Sequence, residues 1–381
     1  MKTEEYIKSL EALPLRTSTR CRIIIAGGGT GGHIFPAIAI ANAIRKQDPD
    51  VEILFVGAKG KMEMQKIPEA GYKIMGLYIA GYNRSSLFKN ITLPLKLAKS
   101  FFQVTQLLKK FQPDAIVGVG GYSSFPVLRL AQTRRIPTFL HESNSLPGKT
   151  NLLLGKRATK IFVASYGMEK YFPQEKIMMT GNPVRDIFSE RVIPQHEAIQ
   201  FFGLKSELKT VLVLGGSLGA RTINQAIESN INFFEDNNLQ LIWQTGKSYA
   251  HDAAKVEEER SNVWTSSFID HMEYAYAAAD VVVSRAGAMA IAELCVAGKP
   301  VIFVPYPFAA EDHQTANAMA LVNKKAAWLV KDAEVKAKLF DEILNLVHDG
   351  NAMAGLKNNI AELANANADE IIATEVLKQI K

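Results

Sequence analysis

Apolar and polar positions along this chain fall into blocks. Short, nearly unbroken apolar runs occur at 21–26, 51–56, 72–78, 115–119, 138–141, 160–164 and 177–180. Between them lie stretches with apolar residues at helical spacing, notably 34–45, 61–69 and 93–111. A run that is apolar at nearly every position suits a strand covered on both faces, whereas a strand with one wet face alternates. Strands alternating with helices predict a parallel, doubly wound α/β sheet over residues 20–183.

The pattern then begins again. After the turn Gly181-Asn182-Pro183-Val184-Arg185 a polar helical stretch runs through Phe202, and 210–214 is a new apolar run. It enters Gly215-Gly216-Ser217-Leu218-Gly219-Ala220, and further strands are predicted at 239–244, 262–265, 280–284 and 300–304. Residues 184–364 therefore read as a second domain that opens with the same strand, glycine loop and helix. From 333 onward the pattern is helical, and the last helix, within 365–381, is expected to cross back and complete the first domain.

Composition narrows the class. A chain of 381 residues, 48% hydrophobic, has apolar material for two cores. Cys21 and Cys295 lie far apart in apolar segments, which predicts core packing in a reducing compartment rather than a disulfide framework or a metal cluster. No run reaches the roughly 18 apolar residues of a membrane span, and residues 1–20 lack the apolar centre of a secretory signal. A protein of the cytosol or of the cytosolic membrane surface is expected. The net charge of +6 favours anionic partners such as nucleic acid, phosphates or lipid headgroups.

The first candidate chemistry is Gly27-Gly28-Gly29-Thr30-Gly31-Gly32-His33, a strand-to-helix junction. Glycines there let backbone N–H groups approach an anion at the positive end of a helix, and His33 adds a group able to move a proton near neutral pH. Gly27, Gly29 and Gly32 satisfy the dinucleotide-binding spacing, but the second strand ends Val56-Gly57-Ala58-Lys59 without the acid that binds ribose hydroxyls. A P-loop is excluded because His33 follows Gly32, while Gly148-Lys149-Thr150 and Gly246-Lys247-Ser248 have Ser143 and Leu241 where a glycine is needed. Asp48-Pro49-Asp50 has the look of a metal-holding pair but sits in a helix-to-strand turn, so a solvated turn and no protein-held metal are expected.

Taken together, Gly28 to His33, Gly120-Gly121-Tyr122-Ser123-Ser124, His141-Glu142-Ser143-Asn144, Gly181 to Arg185 and Gly215 to Ala220 resemble the MurG family of peptidoglycan N-acetylglucosaminyltransferases. The likeness runs from about Arg22 to Asn317. It implies a GT-B fold, two Rossmann-like doubly wound domains facing across a cleft. It also implies inverting transfer of N-acetylglucosamine from UDP-N-acetylglucosamine to the C4 hydroxyl of the N-acetylmuramyl unit of lipid I, giving lipid II, with neither cofactor nor nucleic acid involved. A UDP-N-acetylglucosamine 2-epimerase, or a transferase acting on another lipid, is the alternative of similar architecture.

The resemblance also carries residue roles. His33 becomes the base or the group that positions the acceptor, with Glu142 as its partner. Donor contacts fall on Thr30, Gly31, Gly32, Asn144, Arg185, Ser217, Ile269, Ala288, Met289, Ala290, Ile291, Ala292, Glu293, Gln314 and Asn317. Within these, the Ile269 backbone would read uracil, Glu293 the ribose hydroxyls, and Arg185 and Ser217 the phosphates. Acceptor contacts fall on Gly28, Gly29, Tyr122 and Asn151, the glycine loop lying against the lipid-linked diphosphate, and Asn144 is open to either substrate. Ser143 replaces the family's usual glutamine, and His313-Gln314 its Gln-Gln, with one extra residue after Pro305. A lipid acceptor implies a peripheral protein on the cytoplasmic face of the bacterial membrane, and apolar and basic residues interleave between Ser86 and Leu97 as an anionic surface requires.

Overall fold

The computed structural model describes residues 10–11, 20–81, 90–184, 193–216 and 219–380. Arg185, Ser217 and Ser86 to Lys89 of the expected membrane segment lie outside them. The chain divides into two compact units, Met1–Arg185 with Asn367–Lys381, and Asp186–Ala366.

The first unit holds a sheet of seven parallel strands: β1 (Arg22–Ala26), β2 (Glu52–Ala58), β3 (Lys73–Leu77), β4 (Ala115–Gly118), β5 (Thr138–Glu142), β6 (Lys160–Val163) and β7 (Ile177–Met179). Their spatial order is β3-β2-β1-β4-β5-β6-β7. The second unit repeats the plan with β8 (Lys209–Leu214), β9 (Leu239–Gln244), β10 (Val263–Ser266), β11 (Val281–Ser284), β12 (Val301–Phe303) and β13 (Trp328–Leu329), ordered β10-β9-β8-β11-β12-β13. Each is a Rossmann-like sheet whose order reverses beside its first strand, between β1 and β4 and between β8 and β11. Ligands of such sheets bind at the carboxyl ends of the strands at that reversal.

The unbroken apolar runs have a simple cause. Successive side chains of a strand point to opposite faces, and here both faces are covered. Ile24 and Ala26 of β1 enter one core cluster while Ile23 and Ile25 enter another. In β8 Leu212 and Leu214 go one way, Val211 and Val213 the other. Each fully buried isoleucine or leucine contributes about 1.5–3 kcal/mol. The two-residue edge strand β13 has no such run and was not expected from the sequence.

Three further helices frame the carboxyl ends of the first sheet and its flanks. Gly31–Gln47 starts three residues before its apolar periodicity, so Gly31, Gly32 and His33 form its first turn rather than a loop. Leu93–Phe111 buries Val104, Leu107, Leu108 and Phe111 against the first sheet but leaves Leu95 and Phe102 75% and 62% exposed, with Ile91 just before it at 70%. Ala368–Lys378 packs Ile372, Ala373, Val376 and Leu377 into the cluster that holds Ile40, Ala41 and Ile44 of Gly31–Gln47. Lys46 pairs with Glu370 at 2.9 Å, and Gln47 Nε2 donates to Thr374 Oγ1 at 3.0 Å along the same seam. No described helix is long and apolar enough to cross a membrane. Asp50 is a largely exposed turn residue 3.8 Å from Arg20, and no group of three potential metal ligands occurs among the described residues.

Candidate functional site

At the reversal point of the first sheet the loops after β1 and β4 interlock through glycine. A Cβ on Gly121, whose φ is +81°, would sit 2.6 Å from the carbonyl oxygen of Gly28. One on Gly120, at φ +92°, would sit 2.9 Å from Cδ2 and Nε2 of His33, so the imidazole stands directly over that glycine. His33 Nδ1 lies 3.2 Å from the Gly28 carbonyl oxygen and 3.5 Å from Thr30 Oγ1. Thr30 and Gly32 are exposed, and the first-turn N–H groups of Gly31 and Gly32 are those a helix leaves without an acceptor of its own.

The expected anion cradle is altered by a residue that motif reading passed over. Glu63, buried at the start of the helix Glu63–Glu69, accepts from the N–H of Ala58 with Oε1 at 2.9 Å and from the N–H of Gly29 with Oε2 at 2.9 Å. Gly27 N donates to Val56 O at 3.1 Å. Two N–H groups of the loop are thus occupied within the chain, one of them by a carboxylate, and a diphosphate laid on Gly28 and Gly29 would meet a negative charge. The second strand also has its acid after all: it arrives from five residues beyond Ala58 and faces inward. Gly57 makes room for it, since a Cβ there would come within 2.5 Å of Glu63 Cγ.

Glu142 stands at the end of β5 and is held by groups of the segment that follows it. Oε1 accepts from the N–H and side-chain amide of Asn144 at 3.1 and 3.3 Å, and Oε2 from Gly148 N and Asn151 Nδ2, both at 2.9 Å. It pins the segment from Asn144 to the helix Lys149–Gly155, and both asparagines are spent partly on holding it. His141 beside it is fully buried; desolvation, partly offset by a contact with the Gly181 carbonyl at 3.4 Å, pushes its pKa down to about 4 and keeps it neutral. Burial, aided by the charge of Glu63, raises the pKa of Tyr122. Among the described residues the Tyr122 hydroxyl and Asn151 Oδ1 are buried without a hydrogen-bond partner, a condition that polar ligands relieve.

The second unit has a differently finished loop at its reversal point. A Cβ on Gly215 would lie 2.6 Å from Ala220 N, and one on Gly219 would strike the Thr245 carbonyl, so both positions are fixed by packing. Among the described residues nothing lies within 4 Å of where a Cβ would stand on Gly216, at φ +76°, or on Gly287 at the start of the helix Ala288–Ala297. Glu293 on that helix is buried and accepts from the Tyr276 hydroxyl at 3.2 Å. Ile269 N donates to Gln244 Oε1 at 3.0 Å, so a base contact through this N–H would require that bond to exchange. Gln314 Oε1 accepts from Tyr306 N at 2.9 Å, and Asn317 Nδ2 lies 3.4 Å from the Ala286 carbonyl. Arg285, also buried, donates to the carbonyls of Val304 and Pro305 at 3.1 and 3.2 Å and to Asp332 at 2.5 Å.

Comparison with known proteins distinguishes among the chemistries such sheets support. Residues 23–163 match the model of the glycosyltransferase family 28 N-terminal domain, and residues 210–376 that of the family 28 C-terminal domain. The UDP-N-acetylglucosamine--N-acetylmuramyl-(pentapeptide) pyrophosphoryl-undecaprenol N-acetylglucosamine transferase of Parabacteroides distasonis is 51% identical over 361 residues, 94% of this chain and 98% of that protein. The chain belongs to the MurG family. A protein of the same name from Flavobacterium psychrophilum is 47% identical over 360 residues, covering 94% of this chain and 98% of its own. The crystal structure of MurG from Acinetobacter baumannii aligns with a TM-score of 0.72 at 24% identity, over 94% of this chain and 99% of that one. UDP-GlcNAc 2-epimerase from Neisseria meningitidis, solved bound to UDP-GlcNAc, reaches 0.65 at 15% identity, over 94% and 100%. The GT-B fold is therefore common to transferase and epimerase, and identity to the transferases separates them.

Within the MurG family fold, the expected residues gather at the carboxyl ends of the strands in two groups. Thr30 to His33, Tyr122, Glu142, Asn144 and Asn151 lie in the first unit; Ile269, Ala288 to Glu293, Gln314 and Asn317 lie in the second. Sequence reasoning missed Glu63, Gln244, Tyr276 and Arg285. Gly57 inside β2 was the available signal for Glu63, because glycine within a strand marks a close approach.

Proposed function

We propose that this chain transfers N-acetylglucosamine from UDP-N-acetylglucosamine to the C4 hydroxyl of the N-acetylmuramyl unit of lipid I, with inversion, to give lipid II. The observation that carries this reading is half-identity to named transferases over nearly the whole chain. The 2-epimerases share only the fold. The UDP phosphates are assigned to the backbone at Gly216 and Gly287 with Ser217 and Arg185, the ribose hydroxyls to Glu293, and the donor sugar to Gln314 and Asn317. A guanidinium fork and helix N-termini neutralise the charge that grows on the departing UDP, so turnover should survive EDTA.

His33 is assigned the proton of the attacking hydroxyl. Glu142 is assigned to holding the Asn144–Asn151 segment against the acceptor, with Tyr122 and Asn151 offering their buried oxygens to it. Incubation with radiolabelled UDP-N-acetylglucosamine and a short-chain lipid I analogue tests the whole reading. A labelled β-1,4 disaccharide product is expected, and release of free 2-epimer in its place refutes it.

Membrane contact is assigned to Ile91, Leu95 and Phe102, exposed apolar side chains among Lys96, Lys99 and Lys109. Such interleaving suits the cytoplasmic face of an anionic membrane without spanning it. Leu95→Glu should reduce sedimentation with anionic vesicles several-fold and leave turnover on a water-soluble acceptor unchanged. Equal sedimentation with neutral and anionic vesicles would remove the assignment.

A further inference from the structure

The contacts of Glu63 and of His33 meet on one peptide group. The N–H of Gly29, which donates to Glu63 Oε2 at 2.9 Å, and the carbonyl of Gly28, which lies 3.2 Å from His33 Nδ1, are the two ends of the same amide. A carbonyl oxygen only accepts, so the contact with His33 is a hydrogen bond when Nδ1 carries the hydrogen. A carboxylate pulling on the N–H end of a planar, conjugated amide adds electron density to the oxygen at the other end, and hydrogen bonds chained this way strengthen each other by about 10–30% each.

We propose that Glu63 is a positioning residue for the reaction, acting through the Gly28–Gly29 peptide to hold His33 in the tautomer that bears its proton on Nδ1 and presents Nε2 as the base. The arrangement does with an interposed peptide what a carboxylate does by direct contact in a nucleophile–histidine–acid triad. Several glycines shape it. Gly28 and Gly57 leave space for the Glu63 side chain, Gly120 leaves space for the imidazole, and Gly29 at φ +96° turns the shared peptide to face both. The proton balance is simple. Nε2 takes the hydrogen of the acceptor C4 hydroxyl as the oxygen bonds to C1 of the donor sugar and the bond from C1 to UDP breaks. The imidazolium so formed keeps Nδ1–H on Gly28 O, and the Glu63 charge behind that peptide stabilises it.

The proposal rests on His33 as the base. Full-length protein labelled with ¹⁵N-histidine, in long-range ¹H–¹⁵N correlation spectra at a pH where the ring is neutral, reports the tautomer directly. The signal of His33 among the seven histidines is identified by its loss in His33→Gln. Protonated Nδ1 and bare Nε2 are expected, and the opposite tautomer overturns the proposal whether or not the protein is a transferase. In Glu63→Gln, kcat should fall about 10–100-fold with KM for UDP-N-acetylglucosamine unchanged, by analogy with the carboxylates that orient metal-bound histidines.

Loss of the carboxylate charge also disfavours the imidazolium, so the acid limb of kcat/KM for the acceptor should move to lower pH. Among the described residues, Tyr122, His141 and, at the end of β5, Glu142 are titratable groups at the carboxyl ends of the same sheet. The first two are uncharged at neutral pH, and Glu142 is the same in both proteins, so the difference isolates Glu63. Unchanged kcat, or a fall in kcat with neither the limb nor the tautomer displaced, refutes the positioning role.

Discussion

In the first unit the N–H of Gly29 already donates to a carboxylate of the chain, whereas over Gly216 and Gly287 of the second unit an added Cβ would meet nothing within 4 Å among the described residues. Both loops leave the carboxyl end of a first strand and enter a helix, and by motif alone both are phosphate cradles. What differs is what the chain has put there. Where a carboxylate of the chain takes a backbone donor, the loop orients a side chain, and His33 stands in its first helical turn. In the second loop Gly215 N and Gly219 N donate to the neutral carbonyls of Gln244 and Gly216, which leaves the same geometry suited to an anion. A glycine-rich motif thus specifies backbone shape, and the side chains that approach from elsewhere decide what that shape does.

Separating the two loops by mutation tests this, beginning with the largest effect. His33→Ala should lower kcat about 10²–10⁴-fold, the usual range for a general base, with UDP affinity by calorimetry unchanged. Lost UDP affinity would mean the two loops share one ligand. His141 is held neutral in the folded chain at a pKa of about 4 and returns to about 6.5 on unfolding. Between those values the unfolded chain binds the extra proton, so stability is fully present above pH about 6.5, is lost as the pH falls through the window, and is level again below it. The loss amounts to on the order of 3 kcal/mol. Urea melts across pH 4–7 on wild type and His141→Asn measure it; the variant should lack the slope.

In the second unit Glu293→Gln weakens a charge-assisted contact worth about 1.5–3 kcal/mol, so UDP affinity should fall about 10–100-fold while the His33 tautomer is unaffected. The sharpest comparison pairs two alanines at similar φ. Gly121→Ala drives a methyl onto the Gly28 carbonyl and should lower stability by about 1–3 kcal/mol or more. Gly216→Ala carries only the left-handed strain of about 1 kcal/mol, yet should still reduce UDP affinity because its methyl occupies the open space. Thermal melts and UDP titrations of both variants decide it; equal melting and equal affinity would erase the distinction between the loops.

Much of the architecture could be read from the chain because strands buried on both faces leave contiguous apolar runs, as at Ile23 to Ala26 and Val281 to Val283. The start of the helix Gly31–Gln47 was obscured because glycines in a first turn carry no periodicity. Glu63 was illegible for another reason. It lies 34 residues from the peptide it holds, and a glutamate at a helix start reads as a solvated residue favoured by the helix dipole. Glu142 was legible as important, but the groups that hold it were not: an acid ending a buried strand must be satisfied, and which groups satisfy it depends on where the chain returns, here Gly148 and Asn151. Motif spacing finds residues near one another in sequence; contacts made by the returning chain lie outside its reach.

The seam between Gly31–Gln47 and Ala368–Lys378 bears on how this protein is made. The helix that presents His33 buries Ile40, Ala41 and Ile44 against Ile372, Ala373 and Val376, which leave the ribosome more than 300 residues later. Synthesis at about 5–20 residues per second leaves that apolar stripe without its native cover for tens of seconds. The second unit, emerging in between, has its own core to close on. The unit that begins first is therefore the last to be finished: its stripe at 40–44 gains its native cover only once the helix Ala368–Lys378 has emerged.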